Sequence, residues 1–216
     1  MTRLRCKSTL LAVGAVALVV AGAVAFVAIG RAGATAPTAP QYNTVSNHGT
    51  DISSQATSAD EGSMKRMAQG GSLLSGAVTR MAQVGGDTIF RLPASTGPDC
   101  YGLGQAANAA TGLIGEIRCS RTFPSSQTPL LDFTIIHGDP AHPQGYVWRS
   151  EGVAADGVAS VTLLGLGGQP IATTAVVNNV YRFVSVPRVP VSAVSALDST
   201  GNVVANLQLG TQPFQP

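Results

Sequence analysis

The sequence predicts an exported all-β chain carried on one N-terminal membrane helix, and three observations lead there. A 21-residue run from Leu10 to Gly30 has no charged or strongly polar side chain and directly follows the basic cluster Arg3, Arg5 and Lys7. Residues 31–76 are rich in Ala, Thr, Ser, Gly, Gln and Pro and show no sustained apolar period. Beyond Ala77, short β-branched and aromatic runs alternate with Gly, Pro, Asn and Asp at near-regular intervals, the signature of strands and turns.

At about 1.5 Å rise per residue the apolar run makes a helix of roughly 31 Å, enough to cross a hydrocarbon core of about 30 Å. Lipid offers no partner to a bare peptide group, so the solvent enforces the helix despite Gly14 and Gly22. The basic cluster stays on the cytoplasmic side, which places residues 1–9 as a cytoplasmic head and residues 10–30 as a signal anchor. The alternative is a cleavable signal ending at Ala32-Gly33-Ala34, which yields a secreted chain. Both readings deliver the remainder outside the cytoplasm.

The formal net charge of +2 comes from the head, because residues beyond the run hold all eleven acidic groups and ten of the thirteen basic ones. No basic footprint for nucleic acid follows from that balance. Cys6 stays in the reducing compartment, whereas Cys100 and Cys119 face an oxidising one and are expected to pair. Such a bridge stabilises by roughly 3 kcal/mol in the chain-entropy account. Two separate thiols are the alternative; the Cys-x18-Cys spacing lacks the short partner motif of a zinc site.

In chain order, residues 31–76 read as a disordered tether. Residues 77–144 read as a small disulfide-bridged β unit, with strands at 78–83, 88–92, 100–103, 113–119 and 130–136 and a hairpin loop at Val84-Gly85-Gly86-Asp87. Residues 145–212 read as an immunoglobulin-like β-sandwich with strands at 146–153, 159–164, 170–176, 180–186, 191–197 and 202–209. Turns are expected at Ala155-Asp156-Gly157, Gly165-Leu166-Gly167-Gly168 and Asp198-Ser199-Thr200-Gly201. Alternation puts Val161, Leu163, Tyr181, Phe183, Val203, Ala205, Leu207 and Leu209 in the core, with Trp148 and Tyr181 as its aromatic centre.

The stretches Gly152-Val153-Ala154-Ala155-Asp156-Gly157-Val158-Ala159-Ser160-Val161, Val177-Asn178-Asn179-Val180-Tyr181 and Ala196-Leu197-Asp198-Ser199-Thr200-Gly201 resemble the carboxy-terminal part of uncharacterised, membrane-anchored exported proteins of actinobacteria. The segment from Pro98-Asp99-Cys100-Tyr101-Gly102-Leu103-Gly104 to Cys119 is similar to the region before it. The resemblance rests on strand and turn residues and implies no activity.

Gly102-Leu103-Gly104-Gln105-Ala106-Ala107 matches a dinucleotide pattern, but no βαβ unit surrounds it, so no cofactor is expected. His137, Asp139 and His142 stand within six residues and are the candidates for a metal or catalytic site; the plainer reading is a solvated linker between strands. The function expected is a non-enzymatic, single-pass cell-envelope protein. Its membrane partner is engaged through residues 10–30, and its outer β module binds or organises an unknown extracytoplasmic protein or envelope ligand. The alternative is an extracytoplasmic metal-dependent or serine hydrolase using the loop with His137, Asp139 and His142.

Overall fold

A computed structural model describes residues 41–52, 76–84, 86–105 and 115–210. The expected head, membrane span and most of the tether lie outside the described residues. Those described contain fourteen strands and no helix, as the β-branched runs and turn residues require. β1 (Thr50–Asp51), β2 (Thr79–Val84), β3 (Asp87–Leu92), β4 (Cys100–Gln105) and β5 (Glu116–Cys119) form a five-stranded sheet in that order. β6 (Leu130–Asp132), β9 (Glu151–Ala154) and β12 (Val180–Arg182) form a three-stranded sheet ordered β12-β9-β6. β7 (Ile135–Asp139) and β8 (His142–Arg149) make a two-stranded ribbon. β10 (Ser160–Gly165), β11 (Pro170–Ala175), β13 (Val191–Leu197) and β14 (Val203–Gln208) make a four-stranded sheet ordered β11-β10-β13-β14.

The three-stranded sheet is covered on both faces. Leu131, Val153 and Val180 stand in one cross-strand row. They pack in one cluster with Ile89, Tyr101 and Leu103 of the five-stranded sheet and with Phe123 and Phe133. The next row is Asp132, Gly152 and Tyr181, and the pleat turns it to the opposite face. There Tyr181 packs with Val161, Leu163, Val191 and Val194 of the four-stranded sheet. This sheet is therefore a middle layer between two others.

Gly152 is required by that layering. A Cβ on it would lie 2.3 Å from the Leu131 carbonyl oxygen and 2.6 Å from the Tyr181 hydroxyl. The bare glycine lets the Tyr181 ring cross the strand and donate a 2.6 Å hydrogen bond to Asp132 Oδ1. Asp132 also accepts from the Thr134 amide and hydroxyl at 2.9 and 2.8 Å. Burial pushes both groups up: the Asp132 carboxyl above its ordinary value, and the Tyr181 phenol well above its own.

On the other face of the middle sheet, Glu151 and Arg182 are register partners and meet Asp87 and Arg149. Arg149 Nη1 lies 3.3 Å from Asp87 Oδ1, and Arg182 Nη2 lies 3.2 Å from Asp87 Oδ2. Arg149 Nε is 3.0 Å from Glu151 Oε1, yet neither atom has a hydrogen bond, so that contact is close without being aligned. Glu151 is 1 % exposed. Burial first and the Asp87 charge second push its carboxyl up to about 7, against the lowering effect of Arg149 and Arg182.

Four departures from the sequence reading have physical causes. The strands expected at 130–136 and 146–153 each break where the chain changes sheets: β6 pairs with β9, whereas β7 pairs with β8. Thr134 Oγ1 and Ser150 Oγ meet at 2.7 Å at this shared corner, and the Phe133 amide donates to the Glu151 carbonyl. The expected boundary at 144/145 falls inside β8, and the Leu131 cluster draws side chains from both sides of it. The turn at Ala155-Asp156-Gly157 closes no hairpin, because β9 and β10 belong to different sheets. Residues 41–52, read as tether, instead contribute β1 and the buried Val45 and Ile52.

The core reading holds for Val161, Leu163, Tyr181 and Phe183, all buried. It fails for two residues at β-bulges. Ile135 pairs with Arg149 while Ile136 pairs with Val147, so Trp148 is the extra residue and stands 64 % exposed. Ala196 pairs with Ala205 and Leu197 with Val203, so the extra Val204 shifts the alternation. Val203 is consequently 58 % exposed, while Val204, Leu207 and Leu209 pack against the core. The hairpin loops at 165–168 and 198–201 lie where turn residues placed them, and β2 pairs with β3 up to Val84 and Asp87. Cys100 and Cys119 form the expected disulfide, joining directly paired residues of β4 and β5 at a Cα separation of 4.3 Å.

Two predictions follow from the middle layer. Gly152→Ala should destabilise the fold by more than about 3 kcal/mol, because carbonyl and ring both block the new methyl; denaturant unfolding with less than a 1 kcal/mol change, taken as roughly the noise of surface substitutions, would contradict this. Because the folded Glu151 carboxyl is raised from 4.5 to about 7, its contribution is fully present below 4.5 and is lost as pH rises to 7. Glu151→Gln should flatten that decline relative to the parent protein, and parallel stability profiles would refute the assignment.

Candidate functional site

A cleft of about 560 Å³ opens between the 43–48 segment and the β3–β4 end of the five-stranded sheet, with His48, Arg91, Asp99, Tyr101, Pro124 and Asp156 among its lining residues. Alternation along β3 explains why chemistry collects here: Asp87, Ile89 and Arg91 share the face that meets the middle sheet. Asp87 feeds the buried ion group, Ile89 the core, and Arg91 reaches the cleft. Register then pairs Arg91 with Tyr101 of β4. Burial pushes the Tyr101 phenol up, and the neighbouring Asp99 charge adds to that effect.

Arg91 is held from two sides. Its Nε lies 2.5 Å from Asp99 Oδ2, and its Nη1 contacts His48 Nδ1. A guanidinium only donates, so His48 Nδ1 is the accepting side of this contact. Asp99 Oδ1 accepts from the Ala94 amide, which fixes the carboxylate against its own loop.

The opposite wall is built on Asp156. Its Oδ2 accepts from Thr44 Oγ1 at 2.7 Å, and its Oδ1 accepts from the Ser46 amide, the Ser46 hydroxyl and Asn179 Nδ2. Burial raises the Asp156 pKa, but these bonds outweigh it and hold the carboxyl below its ordinary value. Asn179 belongs to the two-residue turn between Val177 and Val180, where Asn178 and Asn179 have φ of 51° and 63°. Asparagine tolerates that left-handed backbone, and two consecutive such residues define a type I′ turn. Asn179 also donates to the Ala154 carbonyl and accepts from the Asn47 amide, so one side chain ties three chain segments together.

The residues singled out by sequence lie elsewhere. His137 and His142 meet the Tyr146 ring edge-on at centroid distances of 5.8 and 5.1 Å. Asp139 serves the tight turn of that ribbon: its Oδ1 accepts from the Ala141 and His142 amides and lies 2.9 Å from His142 Nδ1. The hydrogen bond with His142 is the main cause holding the Asp139 carboxyl below its ordinary value. Among the described residues no group of three or more His, Cys, Asp and Glu side chains could hold a metal ion. Gly102-Leu103-Gly104 continues β4 as a strand interior. His48, Arg91, Asp99 and Asp156 were missed as a group; the consecutive asparagines 178 and 179 were the available local signal.

Asn179→Ala should cost roughly 2–4 kcal/mol and speed amide exchange at Ser46 and Asn47, whereas Asn179→Gly, which keeps the backbone relaxed, isolates the hydrogen-bond share. Unchanged exchange at both amides in Asn179→Ala would show that the side chain does not hold this wall. No family model matches the chain, and neither a curated protein nor a solved structure matches it significantly.

Proposed function

We propose that this chain is a single-pass, membrane-anchored protein of the cell envelope whose extracytoplasmic β body binds an envelope ligand or protein and has no catalytic role. The cleft carries the binding half of this reading. Its ionic groups are engaged with one another: Arg91 bridges Asp99 and His48, and Asp156 is saturated by donors from 44, 46 and 179. Preorganised polar walls of that kind suit recognition, where ordering costs are met before the ligand arrives.

Export is supported by the apolar run behind a basic cluster and by a disulfide in the body that follows it. For the fold, the reading is an immunoglobulin-like sandwich. It is supported by a four-stranded and a three-stranded antiparallel sheet sharing the Tyr181 cluster, seven strands in all.

Two arms test this function on the full chain. External protease on intact cells should remove a carboxy-terminal tag, and a protected tag would overturn the topology. Detergent-solubilised chain should sediment with isolated envelope, with Arg91→Ala weakening retention by roughly tenfold, about 1.4 kcal/mol. Equal retention of parent and variant would remove the cleft from the account.

A further inference from the structure

Among the described residues, three exposed apolar side chains, Trp148, Val184 and Val189, belong to β8 and to the loop after β12; Leu166, Val177 and Val203 are exposed on other turns and strands. Trp148, the chain's single tryptophan, is 64 % exposed because the β-bulge lifts it out of the ribbon's pairing. The loop at 184–190 runs beside it. Its start is tied by the Phe183 amide to the Ser150 carbonyl, and its Arg188 guanidinium lies 5.2 Å from the Tyr146 ring centroid. Residues 146 and 150 thus bracket Trp148, and the loop follows the strand between them. It presents Val184 at 77 % and Val189 at 38 % exposure.

This loop is built to hold its shape. Ser185 has φ of 63°, an uncommon backbone state for a residue other than glycine or asparagine, and Pro187 and Pro190 restrict the turns after it. Local strain and proline stiffening hold the exposed Val184 in a loop that is tied at residues 150 and 146 to the strand carrying Trp148. A surface arranged in this way is costly to leave bare, and such patches mark interaction sites.

We infer that Trp148, Val184 and Val189, with Arg188, form a docking surface for an anionic phospholipid bilayer. Indole rings prefer the headgroup level, where one edge is apolar and the other wet, and valines suit the acyl boundary below it. Arg188 brings a positive charge to the phosphates. The inference rests on the reading of residues 10–30 as a membrane anchor, which keeps the body near the bilayer and lets a weak patch suffice.

Because Trp148 is the only tryptophan, the intrinsic fluorescence of the full chain reports this surface alone. The chain is reconstituted into phosphatidylglycerol–phosphatidylethanolamine vesicles carrying spin labels at shallow or deep positions, and flotation is measured in parallel. Docking predicts a blue shift and quenching stronger from shallow than deep labels, both lost in Val184→Asp and Arg188→Glu with unchanged thermal unfolding. Flotation without quenching overturns the docking surface while sparing the anchor. Failure to float overturns the anchor, and vesicle binding by the patch is then read on vesicles with added chain. A blue shift produced by envelope oligosaccharide or protein, and not by vesicles, overturns the lipid assignment.

Discussion

A three-stranded sheet buried on both faces is the constraint from which the rest of this fold is organised. Any strand in that position must present an acceptable side chain in both directions at every residue. β9 does so with Glu151, Gly152, Val153 and Ala154, all buried. The small residues give way to Tyr181 and to the four-stranded sheet, whereas Val153 and Glu151 face the five-stranded one. The size of one position sets the fit of the next layer.

The same constraint explains the ion group at Asp87, Arg149, Glu151 and Arg182. Two carboxylates and two guanidiniums balance formally, but the Glu151 carboxylate is short of aligned donors. A buried group of this kind is weak as a source of net stability and strong as a penalty against misregistered layers, since separating one partner leaves a charge uncompensated in a dry interface. We read it as fixing which strand faces which. The cleft inherits that alignment, because Arg91 lies four residues beyond Asp87 on the same face of β3.

Much of the strand content was legible in sequence, because hairpins announce themselves locally. Gly165 to Gly168 and Asp198 to Gly201 each supply the backbone freedom or side-chain caps their turn needs. Tyr181, Phe183, Val161 and Leu163 follow strict alternation and were legible for that reason. What escaped depends on partners far away in the chain. Trp148 and Val203 were misread because a bulge shifts the period without any local marker. The cleft was invisible because Thr44 and Ser46 find Asp156 across separations of 112 and 110 residues, and a polar stretch like 41–52 carries no pattern announcing such bonds.

If the middle sheet couples its two neighbours, the outer layers cannot open separately. Native-state hydrogen exchange across a denaturant series reads this directly, at the Leu103 amide in β4 and the Val194 amide in β13. Both amides should exchange through one opening with the same free energy and the same denaturant dependence. Exchange of one at distinctly lower free energy, with the other still protected, would contradict the account.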